Sequence, residues 1–118
     1  MELTQSFHFD AAHTLKREVE TAGSKRVHGH TYHAQITVRG EPDPATGMVV
    51  DLGLLRAEIA KVREQLDHHM LNEVEGLGIP TLENLCAFIA KHLRASLPGL
   101  SAVTVARHAS GDSCTLRV

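Results

Sequence analysis

The amino-acid sequence predicts an α+β fold in which a four-stranded antiparallel sheet carries two helices on one face. Three observations support this prediction: apolar residues alternate near both ends of the chain, recur at helical spacing between them, and are bounded by turn-forming residues. The chain has 118 residues, 42% hydrophobic and 22% charged, which suits a single globular domain covering residues 1–118. We expect the element order ββααββ.

Two strands are predicted in the first third of the chain. In residues 3–11, Phe7 and Phe9 alternate with polar side chains, as in a half-buried strand. Residues 16–26 are polar, supply no apolar face and are expected to form a loop. Residues 27–39 alternate again, which predicts a second strand. The apolar face of this strand consists of Ala34, Ile36 and Val38.

The middle of the chain predicts two helices. Turn-forming residues at 41–47 precede residues 48–50, which we expect to form a short strand or the end of one. Asp51 can cap the first helix, and Thr81 can cap the second, which ends before Pro98. The apolar positions of the first helix are Leu52, Leu55, Ile59, Val62 and Leu66. Those of the second helix are Leu82, Leu85, Ile89 and Leu93.

Two further strands are predicted at the end of the chain. Val103 and Val105 share one face of residues 100–107, and residues 114–118 follow a turn at residues 110–112. Strands at both ends with helices between them pack most simply as an antiparallel sheet with the helices on one face.

Charge and hydropathy argue against two classes of partner. The formal net charge is −2 and the basic residues are scattered, so we expect no nucleic-acid surface. No apolar run reaches about 18 residues, and the N-terminus lacks the charged-then-apolar pattern of a signal peptide. We therefore expect a cytoplasmic protein without membrane contact. The unusual feature is a count of nine histidines, several of them clustered.

Two histidines separated by one glycine open the second predicted strand. A strand points His28 and His30 to the same face, and Gly29 leaves space for an ion. Catalytic zinc takes three protein ligands and keeps a fourth position open. His13, at the end of the first strand, is the natural third ligand, although taken alone it reads as an ordinary surface histidine. The pattern favours an open zinc site over three ordinary surface histidines.

Asp67 and His68 stand at the end of the first predicted helix. A carboxylate next to an imidazole can orient the ring and raise its basicity, as in a general-base dyad. A histidine near a helix C-terminus also interacts with the helix dipole and with the terminal carbonyl groups. Both interpretations of the pair stay open at this point.

Five short motifs spread over nearly the whole chain carry a family resemblance. They are FDAAH at 9–13, VHGH at 27–30, VVDLGLL at 49–55, LDHHMLN at 66–72 and IPTLENL at 79–85. In this order and spacing the chain resembles the 6-pyruvoyl-tetrahydropterin synthase and 6-carboxy-5,6,7,8-tetrahydropterin synthase family. The resemblance implies a tunnelling fold, assembled as a homo-oligomer, either a trimer or a hexamer of two trimers, with active sites between subunits.

The resemblance also implies an activity and roles for individual residues. The histidines that match His13, His28 and His30 hold zinc, and the pair that matches Asp67 and His68 serves a catalytic cysteine. This short form resembles the 6-carboxy-tetrahydropterin synthases most. These lyases convert 7,8-dihydroneopterin triphosphate with loss of triphosphate and acetaldehyde, on the route to queuosine. Zinc suits that chemistry because it acidifies side-chain hydroxyls and stabilises developing negative charge.

Two positions depart from the family pattern. The family cysteine stands four residues before the first histidine of HGH, where this chain has Ser24. A hydroxyl is a far weaker acid than a thiol, whose pKa is about 8.5, so Ser24 cannot be substantially ionised near neutral pH, as the usual proton relay requires. Arg107 replaces the glutamate that anchors the pterin and offers donors only. Either Glu83 or Asp112 supplies the acceptor instead, or the ligand presents an acceptor edge or an anion to Arg107.

Thr81 and Glu83 match the start of the family's pocket-lining helix, although a capping role for Thr81 is at least as well founded. Three hypotheses about function follow. The first is a zinc-dependent lyase of the 6-carboxy-tetrahydropterin synthase type, altered by Ser24 and Arg107. The second is a 6-pyruvoyl-tetrahydropterin synthase or a dihydroneopterin aldolase-like enzyme. The third is a non-catalytic, zinc-containing module that binds a pterin.

Overall fold

The structure, a computed structural model, describes residues 1–118 as one four-stranded sheet with three helices. The strands are β1 (Glu2–His13), β2 (His28–Arg39), β3 (Leu100–Arg107) and β4 (Asp112–Arg117). They pair in the order β1-β2-β3-β4, each antiparallel to the next. The helices are α1 (Thr21–Lys25), α2 (Leu52–Leu66) and α3 (Leu82–Leu93), and a 3-10 turn lies at Leu71–Glu73. The predicted α+β fold and the ββααββ order of its long elements are confirmed.

One face of the sheet is buried and the other is polar. On β2 the buried residues are Tyr32, Ala34, Ile36 and Val38, and their neighbours in sequence are partly or fully exposed. The helices α2 and α3 cover this buried face. Their core residues are Leu55, Ile59, Val62, Leu66, Leu85, Ile89 and Leu93. Each buried side chain of this size contributes roughly 1.5–3 kcal/mol, so packing of the two long helices holds the sheet in place.

Side-chain caps fix where both long helices begin. Asp51 Oδ1 accepts a hydrogen bond of 2.7 Å from the Gly53 N–H at the start of α2. Thr81 Oγ1 accepts one of 3.2 Å from the Asn84 N–H at the start of α3. Each cap satisfies a backbone donor that the helix leaves unpaired, which stabilises it by about 1 kcal/mol. None of the helices combines the length and apolar character that crossing a bilayer requires.

The segment expected as a loop at residues 16–26 contains the one-turn helix α1. Its turn forms because the Ser24 N–H donates to the Glu20 carbonyl oxygen over 3.1 Å. The sequence does not reveal this helix, since a single turn shows no apolar periodicity and Gly23 has low helix propensity.

The short strand expected at residues 48–50 is absent. The residues just before this segment form a turn, in which the Gly47 N–H donates to the Asp43 carbonyl oxygen over 2.7 Å. The Asp43 N–H then donates to the Met48 carbonyl oxygen over 2.9 Å. This single backbone contact is too little for a ladder, so the segment serves as a connection to α2.

The pairing of β1 with β2 collects three histidines at one end of the sheet. His13, the last residue of β1, stands opposite His28, the first residue of β2. Ala11 stands opposite His30, two positions further along the pair. Residues two apart on a strand share a face, so His28 and His30 point to the same side of the sheet as the buried Tyr32. This end of the sheet is where the candidate site lies.

Candidate active site and metal centre

Three imidazole rings meet at the end of the β1–β2 pair. The Nε2 atoms of His28 and His30 each lie 3.0 Å from Nε2 of His13. The three ring pairs are close to perpendicular, with interplanar angles of 72°, 90° and 89°. His13 is only 1% exposed, while the other two rings are half-buried. Their ligand atoms all lie within 4.8 Å of one another, so the group can hold a metal ion.

Backbone carbonyl groups orient two of these rings. Nδ1 of His13 lies 3.0 Å from the Pro80 carbonyl oxygen, and Nδ1 of His28 lies 2.7 Å from that of Arg26. A carbonyl oxygen can only accept, so both Nδ1 atoms carry the proton and both Nε2 atoms keep a free lone pair. Contacts of this kind hold metal-binding histidines in one orientation and raise their basicity.

Burial and positive charge favour the neutral form of His13 and His30. Burial, followed by the charges of His13 and Arg107, lowers the pKa of His30 to about 4. The pKa of His13 is also lowered, first by burial and further by the charges of His28, Arg107 and Arg17, against the raising effect of the Pro80 carbonyl. Neutral imidazole is the form that binds a metal, so these two rings are ready to bind an ion near neutral pH.

A polar cavity of about 570 Å³, here called the histidine cavity, opens beside His28 and His30. No hydrophobic residue lines it. Its lining also includes Arg17, Ser24 and Arg107. The structure therefore brings Ser24 and Arg107, the two positions predicted to depart from the family pattern, to the same cavity as His28 and His30.

Ser24 is held in place by hydrogen bonds within its own segment. The residue is 7% exposed, and its hydroxyl donates to the Glu20 carbonyl oxygen over 2.9 Å. Its carbonyl oxygen accepts a hydrogen bond of 2.8 Å from the Leu15 N–H. The single hydroxyl proton is thus committed to the backbone of its own helical turn. The hydrogen bond from Leu15 ties α1 to the preceding residues.

A second cavity, of about 290 Å³ and here called the Glu83 cavity, lies on the other side of Arg107. The three residues predicted to bind substrate, Thr81, Glu83 and Arg107, all line it. The Thr81 hydroxyl is occupied as the cap of α3. Tyr32 also lines this cavity, and burial raises its pKa to about 12, so its hydroxyl stays protonated at neutral pH.

Arg107 stands between the two cavities and lines both. Its side chain is 11% exposed, and its Nη2 donates to Asp112 Oδ2 over 3.0 Å. Gly111, with φ of 78°, allows the tight turn that pairs Asp112 with Arg107 at the ends of β3 and β4. The Nε–H group of Arg107 is buried and has no hydrogen-bond partner.

Asp67 and His68 form the contact of a dyad. Asp67 Oδ2 lies 2.9 Å from His68 Nδ1, and Asp67 Oδ1 accepts a hydrogen bond of 3.0 Å from the Asp10 N–H. The Asp10 N–H, with smaller contributions from His68 and Arg63, lowers the pKa of Asp67. The carboxylate is therefore ionised at neutral pH and positioned to orient the imidazole ring.

The dyad lies away from Ser24. His68 is 79% exposed in its side chain, and its backbone has φ of 59° in the left-handed region. The cavity that it lines, of about 490 Å³, includes Gly29, His30 and Thr31 but not Ser24. Within one chain, two of the three predicted catalytic residues, Asp67 and His68, are in contact. The third, Ser24, lines a different cavity, the histidine cavity.

The sequence analysis missed two residues of the site. Tyr32 contacts one of the candidate metal ligands, and Arg17 lines both cavities. Tyr32 Oη lies 3.3 Å from His13 Nδ1, and its position two residues after His30 on the same strand face could have indicated this. Arg17 lines both the histidine cavity and the Glu83 cavity. It belongs to a segment without any periodic pattern, so no local signal pointed to it.

Comparison with known proteins decides the family. The family model described as 6-pyruvoyl tetrahydropterin synthase matches residues 2–117. The chain belongs to this family. The family assignment predicted from the five motifs is confirmed, and the enzymes of this family process pterins.

Members of the family with different names are similar to the chain. A 6-carboxy-5,6,7,8-tetrahydropterin synthase of Synechocystis is 36% identical over 107 residues, covering 86% of this chain and 81% of that protein. A dihydroneopterin monophosphate aldolase of Pyrococcus furiosus is 36% identical over 91 residues, covering 77% and 73%. The solved structure of the Caenorhabditis elegans 6-pyruvoyl tetrahydropterin synthase superposes with a TM-score of 0.86 at 27% identity, covering 100% and 95%. This likeness agrees with the predicted tunnelling fold.

Proposed function

We propose that the chain is a zinc-dependent lyase of the tetrahydropterin synthase family that converts 7,8-dihydroneopterin triphosphate on the route to queuosine. The observation that carries this proposal is the meeting of the Nε2 atoms of His13, His28 and His30 beside the histidine cavity. We further propose that residues 1–118 act as one domain in the cytoplasm.

The three histidines fit a zinc ion. Zinc holds histidine nitrogens at about 2.0–2.1 Å, so two ligands of a tetrahedral site lie about 3.3 Å apart. Nε2 of His13 lies 3.0 Å from Nε2 of each of the other two histidines, and all three ligand atoms lie within 4.8 Å of one another, so the rings need modest adjustments to reach this value. Three protein ligands leave one position for the substrate. When bound, zinc supplies an electrophile that acidifies the side-chain hydroxyls of the substrate and stabilises negative charge.

Glu83 is the proposed anchor for the pterin ring. The amino-pyrimidine edge of a pterin presents N–H donors, and a carboxylate can accept two of them. Asp112 is less suited, because its Oδ2 already accepts hydrogen bonds from Arg107 and from the Ser110 hydroxyl. Glu83 takes part in none of the chain's five salt bridges. Thr81, occupied as a helix cap, contributes a wall of the cavity.

His68 is the proposed proton-transferring base. Ionised Asp67 contacts its Nδ1, which leaves Nε2 free to take a proton from the substrate. Ser24 is not proposed as a base, because its proton is given to the Glu20 carbonyl and a hydroxyl ionises far less readily than a thiol. The proton transfer of this chain therefore depends on the histidine rather than on a thiolate.

The active site is proposed to be completed between subunits. His68 and Ser24 line different cavities of one chain. Both β1 and β4 are edge strands of the sheet, and the unpaired backbone groups of such edges favour pairing with another chain. We propose a homo-oligomer, a trimer or a hexamer of two trimers, in which His68 of one chain serves the histidine cavity of its neighbour.

A second candidate function is aldolase-like cleavage of the dihydroneopterin side chain. The aldolase relative from Pyrococcus furiosus favours it, and so does Ser24, because carbon–carbon cleavage needs a base and an electrophile but no thiol. A 6-pyruvoyl-forming elimination and a non-catalytic zinc-containing pterin-binding module are the remaining alternatives.

One experiment separates these functions. The zinc-loaded chain is incubated with 7,8-dihydroneopterin triphosphate and, separately, with the monophosphate, and the products are identified by mass spectrometry. Acetaldehyde with a carboxylated pterin supports the proposed lyase. A hydroxymethyl pterin supports the aldolase, and a pyruvoyl pterin supports the elimination. Pterin binding without any product would support the binding module. His28→Ala serves as the metal-free control.

A further inference from the structure

We propose that Arg107 and Arg17 form a phosphate-binding subsite in the wall between the histidine cavity and the Glu83 cavity. The inference rests on the proposed function in one respect, since it assigns this phosphate to the side chain of a pterin substrate. The two arginines are the only cationic side chains that line both cavities. The subsite lies beside the proposed metal ligands and is separate from the ring-anchoring carboxylate of Glu83.

Arg107 has hydrogen-bond donors to spare. A guanidinium carries five N–H donors, and the one side-chain hydrogen bond of Arg107 runs from Nη2 to Asp112. Its Nε–H is buried without a partner, so the charge of the guanidinium is only partly satisfied within the chain. Because the side chain is 11% exposed, its position is fixed before a ligand arrives.

Arg17 supplies a second, more adaptable charge at the same wall. Its Nη1 lies 3.6 Å from Glu20 Oε2, and its side chain is 39% exposed. An ion pair of this length and exposure is weak, so Arg17 can turn toward an anion at small cost. A fixed arginine beside a movable one suits a group that presents acceptor oxygens in several directions.

The chemistry of the wall selects a phosphate. The donor edge of a pterin cannot bind a guanidinium, which has no acceptor, so Arg107 repels the part of the substrate that Glu83 attracts. A phosphate has only acceptor oxygens and forms short, charge-assisted hydrogen bonds with arginine forks. Two carboxylates, Glu20 and Asp112, also line the histidine cavity. Asp112 stays paired with Arg107, and Glu20, whose side chain is 78% exposed, can extend into solvent when Arg17 turns toward the anion.

The test is isothermal titration of the chain with inorganic tripolyphosphate. We expect Arg107→Gln to weaken binding by about 10- to 100-fold, as for the loss of a charge-assisted hydrogen-bonded pair. Arg17→Gln should weaken it by a smaller factor. Arg56→Gln, at an exposed position in the middle of α2, is the matched control and should leave the affinity unchanged. Because zinc itself binds phosphate, each titration is made with metal-loaded and with metal-free protein.

Two readouts keep the result interpretable. Arg107→Lys keeps the charge and the fold but lacks the fork, so its affinity should fall between those of wild type and Arg107→Gln. Equal affinities of wild type and Arg107→Gln in both metal states, or no tripolyphosphate binding by wild type, would overturn the proposal. Neopterin without phosphate is titrated separately. Arg107-dependent tripolyphosphate binding without neopterin binding would retain the subsite and refute the pterin function.

Discussion

The Ser24 hydroxyl donates a hydrogen bond of 2.9 Å to the Glu20 carbonyl oxygen, at the position where the family resemblance predicts a cysteine. Ser24 also lines the cavity of His28 and His30. A residue that lines the histidine cavity therefore uses its hydroxyl to hydrogen-bond the backbone of its own helical turn. This relationship is the reason to expect that a thiol can be restored there without disturbing the site.

Ser24→Cys should raise turnover of 7,8-dihydroneopterin triphosphate. A thiol, with a pKa of about 8.5, ionises far more readily than a hydroxyl and can relay a proton. The gain should vanish in the double variant Ser24→Cys/His68→Ala, because the imidazole helps to form the thiolate. Steady-state kinetics of the single and double variants measure this, with Ser24→Ala as control. Wild-type turnover at ordinary enzyme rates would contradict the importance given to this position.

His28→Ala should abolish binding of one equivalent of zinc per chain. The remaining pair, His13 and His30, lacks the third ligand of the open site, so affinity should fall by several orders of magnitude. Elemental analysis after reloading and gel filtration measures the metal content. His8→Ala changes an exposed histidine outside the group and should leave it unchanged. If His28→Ala still retained one full equivalent of zinc, the assignment of the three histidines as its ligands would be wrong.

The metal-free protein should lose stability as the pH falls from about 6.5 to about 4. In this range an unfolded His30 binds a proton at its ordinary pKa of about 6.5, whereas the folded residue, with its pKa lowered to about 4, does not. The free energy of unfolding therefore decreases with falling pH, and His13 acts in the same direction. Urea unfolding with a chelator at several pH values measures the slope.

Substitution of the responsible ring tests this origin of the pH dependence. His30→Asn should show a shallower slope over the same range, while His8→Asn should keep the wild-type slope, since His8 is exposed. Identical slopes for His30→Asn and wild type would mean that another group carries the effect.

The chain should be an oligomer in solution. Both edges of its sheet, β1 and β4, have unpaired backbone groups on strands of 12 and 6 residues. Closing these edges against neighbouring copies gives a cyclic assembly, so a trimer or a hexamer is expected. Multi-angle light scattering gives the mass directly. A mass of one chain, 12.9 kDa, at working concentration would contradict the edge argument.

Arg107→Glu should tighten binding of unphosphorylated neopterin. Position 107 lines the Glu83 cavity, so this change replaces a charge that repels the donor edge of the pterin with a carboxylate that can accept from that edge beside Glu83. A hydrogen bond to a charged group is worth about 1.5–3 kcal/mol. Arg107→Gln removes the positive charge without adding a charged acceptor and is the control. Fluorescence titration measures both variants. If the two variants bind neopterin equally, position 107 does not face the ring.

The sequence was sufficient for features that depend on local pattern. The alternation of Ala34, Ile36 and Val38 predicted the buried face of β2, and the spacing of His28 and His30 predicted two rings on one face. Both follow from the two-residue repeat of a strand, which needs no knowledge of the rest of the fold. The caps Asp51 and Thr81 are likewise local and were predicted correctly.

Contacts between distant segments could not be predicted. His13 is oriented by the carbonyl of Pro80, 67 positions away in sequence, and no pattern in either segment encodes that approach. The presence of Arg17 at both cavities depends on how residues 16–26 fold back over the sheet. A one-turn helix has too few hydrogen bonds to leave a periodic signal, so its side chains could not be placed.

The position of the proposed metal ligands has a consequence for the segment between them. His13 and His28 stand 15 positions apart, at the two ends of the segment that carries Arg17, Glu20 and Ser24. An ion held by both would close this segment into a loop, and part of its binding free energy would go into ordering the backbone. Amide hydrogen exchange in residues 14–27 should therefore slow when metal binds, reporting metal occupancy without any substrate.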